Sequence, residues 1–170
     1  YFDGVIVDIS AGELSNVLSG ITLTSINALK VTGTLNETDF EYIRENLTAL
    51  EVLDLSGTNM TAFPNRGLAF YNGDNTTLKE VFLPGGLISI EEAAFAKCTA
   101  LEKLNVSSTV NTLGRWILEN TKVTSFTIPQ GVTEIPASCF YRSAITTINI
   151  PSSVKTIGNW AFQDAKLTEV

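Results

Sequence analysis

Apolar residues recur along this chain in a long, regular period. Counted from the apolar residue that opens each unit, Leu78, Leu101, Val123, Ile145 and Leu167 start successive units spaced 23, 22, 22 and 22 residues apart. Position three holds Val81, Leu104, Phe126 and Ile148, and position five holds Leu83, Val106, Ile128 and Ile150. Position nine holds Leu87, Val110, Val132 and Val154, position twelve Ile90, Leu113, Ile135 and Ile157, and position seventeen Phe95, Leu118, Phe140 and Phe162. The alternation in LNV, FTI and INI predicts one short strand per unit, with positions three and five turned inward. Pro84, Pro129 and Pro151 stand at position six, where a residue without an N–H suits the end of a strand, and Ser107 takes that place in the unit from Leu101. Gly114 and Gly158 at position thirteen precede a W-[IA]-[LF] segment that reads as a short helical turn on the outer side. A single unit buries too little apolar surface to offset the entropy of ordering it, so the units must stack and cover one another's flat sides.

The same columns extend upstream. Ile26, Leu29 and Val31 fit positions zero, three and five, as do Leu50, Leu53 and Leu55. The chain therefore divides into units 26–49, 50–77, 78–100, 101–122, 123–144 and 145–166, with 167–170 opening another. Residues 1–25 read as an N-terminal capping element: an edge strand through Val5, Val7 and Ile9, a capping box at Ser10–Glu13, and a helical face of Leu14, Val17 and Leu18 ended by Gly20. Such a cap would shield the core of the first coil. In unit 26–49, Thr38–Glu41 has the form of a second capping box, and Phe40, Ile43 and Leu47 share one helical face. Unit 50–77 carries LDLSGTN, whose Asn59 is expected to bond backbone in the turn, and an excess loop at YNGDNTT, which is turn chemistry. Asp74 and its neighbours offer too few oxygen ligands for a calcium loop.

IPSSVKTIGNWAF and LPGGLISIEEAAF resemble the bacterial leucine-rich repeat of the BspA type, with its LxxIxIPxxVxxIGxxAFxxC-like unit. The resemblance covers roughly residues 20 to 170 and is weaker towards the N-terminus; the unit from Leu101 departs from it, lacking Pro and the AF pair. It implies an α/β fold: a right-handed leucine-rich repeat solenoid with a parallel sheet on its concave face, short helices or turns on the convex face, and an N-terminal cap. Family members are typically cell-surface or secreted proteins of anaerobic bacteria, treponemes and some parasitic protists, with adhesion or protein recognition as their usual proposed role. The resemblance thus implies an extracellular or cell-surface location and a protein or glycan partner, such as host extracellular matrix or a host cell surface.

Charge and composition narrow the functions. A net charge of −7 argues against nucleic acid and anionic membranes as partners. No apolar run is long enough to span a bilayer. The chain starts directly at YFDGVIVDIS and stops at LTEV, and reads as a segment of a longer protein. With no histidine, Ser-His-Asp and Cys-His arrangements and most zinc sites fall away, and no glycine-rich phosphate loop is present. No cofactor and no metal are expected. Cys98 and Cys139 lie in different columns two units apart, so they read as small buried residues too distant for a disulfide.

Recognition is therefore expected on the sheet face. Position two presents Ala28, Val52, Glu80, Lys103, Ser125 and Thr147, and position four presents Lys30, Asp54, Phe82, Asn105, Thr127 and Asn149. Lys30 beside Asp54 and Glu80 beside Lys103 suggest cross-strand ion pairs, which form either a solvated ladder or a functional charge cluster. Phe82 is either an exposed aromatic suited to protein or sugar contact, or is turned inward by a register slip in the long preceding unit. Trp116 and Trp160 share position fifteen and read as a packed outer layer rather than a sugar platform. The candidate ligand-binding residues are Lys30, Asp54, Glu80, Phe82, Lys103 and Asn105. The expected function is non-enzymatic recognition of a protein or glycan; the alternatives are a structural spacer or assembly segment, and a hydrolase using Asp54 and Glu80.

Overall fold

The computed structural model describes residues 2–169. Its elements run β1 (Val5–Ile9), α1 (Leu14–Val17), β2 (Ala28–Gly33), α2 (Glu37–Asn46), β3 (Val52–Thr58), β4 (Ala62–Phe63), β5 (Glu80–Phe82), β6 (Ser89–Ile90), β7 (Lys103–Asn105), β8 (Thr112–Leu113), β9 (Ser125–Thr127), β10 (Glu134–Ile135), β11 (Thr147–Asn149) and β12 (Thr156–Ile157). From β5 onward each unit repeats one plan, a three-residue strand at positions two to four and a two-residue strand at positions eleven and twelve. The longer strands stack in parallel in the order β1-β2-β3-β5-β7, and the series continues in the β9–β11 pair. The shorter strands form a second parallel ladder, β4-β6-β8, continued by β10–β12. Parallel neighbours need a crossover, and here the rest of each coil supplies it.

The core lies between the two ladders. Leu29, Leu53 and Val81 stand in register on adjacent strands and are fully buried, with Phe126 and Ile148 continuing the column. Deeper in, phenyl rings pack from coil to coil, Phe63 on Phe95 at 4.6 Å between centroids and Phe140 on Phe162 at 5.3 Å, and Phe126 packs on Phe140 within one coil at 5.2 Å. Leu118, the departure noted in the unit from Leu101, sits fully buried between these two stacks and divides them.

The outer segments are not the helical turns the W-[IA]-[LF] pattern suggests. Positions fifteen and nineteen hold left-handed backbone in every unit from residue 78 on: Ala93, Trp116, Ser138 and Trp160, then Lys97, Asn120, Arg142 and Asp164, all with φ between 52° and 60°. None is glycine, although such a conformation costs an L-residue roughly 1–2 kcal/mol. The offset comes from bonds to the next coil. Ala93 N donates to Arg115 O and Lys97 N to Glu119 O, both at 2.8 Å, and Ser138, Asn120 and Arg142 repeat the arrangement.

Two glycines answer the same close stacking. A Cβ on Gly114 would strike the backbone of Glu91 and Glu92, and one on Gly158 the backbone of Pro136 and Ala137. Gly114→Ala should therefore wedge two coils apart and cost about 1–3 kcal/mol. Gly85→Ala, whose Cβ would meet nothing within 4 Å, should stay within about 0.5 kcal/mol. Urea denaturation of the two variants checks the contrast.

The N-terminal segment, expected to act as a cap, is built differently from the sequence expectation. Glu13 occupies the cap position of α1 with near-helical backbone and makes no side-chain cap bond, so the Ser10–Glu13 box does not form. The second box is displaced as well, onto Asn36 and Asp39 rather than Thr38 and Glu41. Buried Asp39 also reaches across to α1, accepting from Gly12 N at 2.7 Å and Leu14 N at 3.0 Å. Leu14 and Leu18 are buried on α1, but Val17 faces solvent. In α2, Phe40, Ile43 and Leu47 all pack into the core as the periodicity predicts. Asn59 does not bond backbone through its side chain; its Nδ2 donates to the Thr34 hydroxyl on the surface at 2.9 Å.

The coil of residues 145–166 is covered on one flat side by the preceding coil and on the other, among the described residues, only by residues 167–169, where Thr168 N and Glu169 N donate to Thr146 O. Its apolar columns are accordingly less covered: Ile157 is 53% exposed where Ile135 is fully buried, and Ile150, Val154 and Phe162 are half-buried.

Candidate functional site

Strand register decides which side chains share the open sheet face. Ile6, Lys30, Asp54, Phe82 and Asn105 align across β1, β2, β3, β5 and β7. Beside them run Ala28, Val52, Glu80 and Lys103. The six sequence candidates therefore form one contiguous patch over four adjacent strands.

Within the patch, Lys30 Nζ meets Asp54 Oδ2 at 2.6 Å and also donates to Ser56 Oγ at 3.3 Å. Ser56 N donates to the other Asp54 oxygen at 2.9 Å. Lys103 Nζ lies 3.6 Å from Glu80 Oε1, with the lysine well exposed. Both cross-strand ion pairs thus form. Phe82 pairs in register with Asp54 on one side and Asn105 on the other, while its neighbour Val81 is the buried one. The aromatic ring therefore faces outward, half-buried, and the register slip does not occur. Asn105 has a structural duty: its Oδ1 accepts from Leu83 N at 3.0 Å and closes the end of β5. A cleft of about 330 Å³ lies here, lined by Glu80, Phe82, Lys103, Asn105 and Ser125 among others. Beyond it Ser125, Thr127, Thr147 and Asn149 continue the face as exposed small polar groups.

The electrostatics are those of a held ion pair. Burial pushes the Asp54 carboxyl up, but the hydrogen bonds from Lys30 and Ser56 and the Lys30 charge outweigh it, and the group titrates below its ordinary value of 3.8. A carboxyl depressed on folding stabilises the fold above its unfolded-state value, and that contribution is lost as pH falls through the folded-state value. Asp54→Asn should therefore flatten the loss of stability below about pH 4 relative to the parent. Denaturation curves across the acid range read this directly, and parallel acid limbs would contradict it.

Sequence reasoning missed Ile6. It is 60% exposed and extends the patch with apolar surface beside Lys30. The signal was present, because the alternation that turns Val5, Val7 and Ile9 one way turns Ile6 the other. The two thiols offer no nucleophile. Both are free and buried; burial pushes Cys98 up to about 12 and Cys139 well above its ordinary value. Among the described residues, no group of three or more His, Cys, Asp or Glu is placed to hold a metal, and no helix is long and apolar enough to cross a membrane. The tryptophan column divides: Trp116 packs on Ala69, Ala93 and Ala96, whereas Trp160 is 65% exposed rather than part of a packed layer.

No curated relative matches the chain in sequence. Among solved structures, a leucine-rich repeat protein from Eubacterium ventriosum is similar at TM-score 0.57 and 22% identity, over 78% of this chain and 34% of that one. A leucine-rich repeat protein from Bacteroides ovatus gives TM-score 0.46 and 20% identity over 83% of this chain and 47% of that one. A leucine rich cell surface protein from Faecalibacterium prausnitzii gives TM-score 0.46 and 17% identity over 97% and 60%. The chain thus spans about a third of the length of the Eubacterium protein, whose likeness shows a shared fold. The model of the BspA type leucine rich repeat region matches residues 67–170 in six copies, which is more than half of the sequence. This chain, with its two parallel ladders and its column of stacked phenyl rings, belongs to the BspA-type leucine-rich repeat family.

Proposed function

We propose that this is a non-enzymatic recognition domain of an exported bacterial surface protein, adhesin-like, binding a protein or glycan through the open sheet face. The observation that carries the reading is the outward Phe82, set in a rigid parallel ladder and framed by the Lys30–Asp54 and Lys103–Glu80 pairs. A half-buried aromatic ringed by polar groups is the usual form of a binding anchor. The strands hold it without any ordering cost on binding. The surface location is part of this reading, and membership of the BspA-type family supports it.

The test is a binding screen of the domain against extracellular-matrix proteins and glycans, with a Phe82→Ala, Lys103→Ala variant alongside. Binding should weaken at least about tenfold in the variant, with circular dichroism unchanged. A hit indifferent to the variant would remove the site from the sheet face.

A spacer or assembly segment is the second reading. It is favoured by the stacking of successive coils through two parallel ladders, a plan that repeats can extend, and an empty screen would support it. A carboxylate hydrolase is not favoured, because Asp54 and Glu80 are both engaged in ion pairs, with Lys30 and Lys103.

A further inference from the structure

Column fifteen alternates small and large along the outer turns: Ala93, Trp116, Ser138, Trp160. The small member leaves a depression beside the large one. At Ala93 the depression is floored by Ala69 and Ala96 too, all three buried, and the half-buried Trp116 packs against them as its wall. The resulting groove has a volume of about 360 Å³, within the range of small-ligand sites. It crosses three consecutive outer turns on main chain fixed by coil-to-coil hydrogen bonds, so it is preformed.

Its rim is basic on an acidic chain. Arg66 and Lys97 line the groove and are exposed. The Arg115 guanidinium lies 4.3 Å from the Trp116 ring centroid. Among the described residues neither Arg66 nor Lys97 makes an ion pair or a side-chain hydrogen bond; the Arg66 guanidinium lies 5.7 Å from the Tyr71 ring centroid, a contact that leaves its N–H donors open. One carboxylate, Glu119, shares the rim.

We infer that this groove is a second binding site, separate from the sheet face, and that its ligand is an acidic sugar: a ring bearing one carboxylate and several hydroxyls. The apolar floor and tryptophan wall accept the C–H face of such a ring. Arg66 and Lys97 are free to take its carboxylate as charge-assisted donors. Glu119 selects among anions, since it accepts from hydroxyl groups but repels a dense polyanion.

The chain has two tryptophans, so a Trp160→Phe background, altered only at an exposed side chain, leaves Trp116 as the sole indole reporter. Fluorescence is titrated with sialyllactose, monomeric galacturonate, neutral lactose and a hexaglutamate peptide. Saturable binding of at least one acidic sugar is expected, about tenfold or more tighter than lactose, and about tenfold weaker with Arg66→Gln, Lys97→Gln at unchanged circular dichroism. Phe82→Ala, Lys103→Ala should leave this titration unaltered, which separates the outcome from that of the sheet-face screen. No saturation with either acidic sugar would overturn the inference. So would equal binding of lactose and the acidic sugars, indifference to the Arg66 and Lys97 substitutions, or hexaglutamate binding as tightly as the sugars.

Discussion

Replacing Phe140 by alanine should cost the fold about 3–5 kcal/mol. Its ring is fully buried and touches Phe126 and Phe162, with centroids 5.2 and 5.3 Å away. The upper part of the range applies where a site cannot collapse, and this one cannot. The backbone of Phe140 is tied to the next coil, its N–H donating to Ala161 O at 2.8 Å, and its own carbonyl accepts from Ser143 N. The coils above and below are held apart at ladder spacing, so the void left by the ring stays open. Phe162→Ala in the same column should cost roughly half as much, because Phe162 is half-buried and stacks on one ring only. Chemical denaturation of the two variants measures the difference. Equal costs would mean that coil 145–166 is covered in solution; a negligible cost for Phe140 would mean that the phenyl column is not the core.

The periodic part of the molecule could be read from its residues because one physical constraint is repeated. A column of inward side chains must keep its register from coil to coil, so counting from Leu78 or Ile26 places Lys30 against Asp54 and Glu80 against Lys103 before any coordinates exist. The outward pointing of Phe82 needed the structure, since it hangs on how the 28-residue unit before it absorbs its excess, and β3 and β5 show that this happens outside the strands. The left-handed residues were invisible for a different reason. Ala93, Trp116, Ser138 and Trp160 have no local preference for positive φ, and only the bonds between coils impose it. Buried Arg44 belongs with them. Its guanidinium donates to the carbonyls of Arg66 and Gly67, more than twenty positions along the chain, and closes the irregular loop of the long unit. No spacing rule reaches that far. The groove at Ala93 inherits the same difficulty, since its floor and rim come from three units and exist only once the coils are stacked.

Loss of the Asp39 carboxylate should open the N-terminal cap. Oδ2 accepts from Gly12 N at 2.7 Å and Asn36 N at 2.9 Å, and Oδ1 accepts from Leu14 N at 3.0 Å. One buried side chain thus satisfies the amides at the start of two helices that no intrahelical bond can reach. Asp39→Ala strands three such donors, two of them 25 and 27 residues away in sequence, and should cost about 3 kcal/mol or more. Asp39→Asn should recover little of this despite its matching shape. Both carboxylate oxygens face N–H donors, so an amide must turn its own NH2 group towards at least one of them. Denaturation gives the total for each variant, and hydrogen exchange localises it: the amides of Gly12, Leu14 and Asn36 should lose protection while Leu53 and Val81, in the middle of the sheet, keep theirs. An Asn variant as stable as the parent would show that shape, not charge, holds the cap. Uniform loss of protection would show that the cap and the repeats unfold as one unit, so that the first coil depends on its shield for folding and not only for cover.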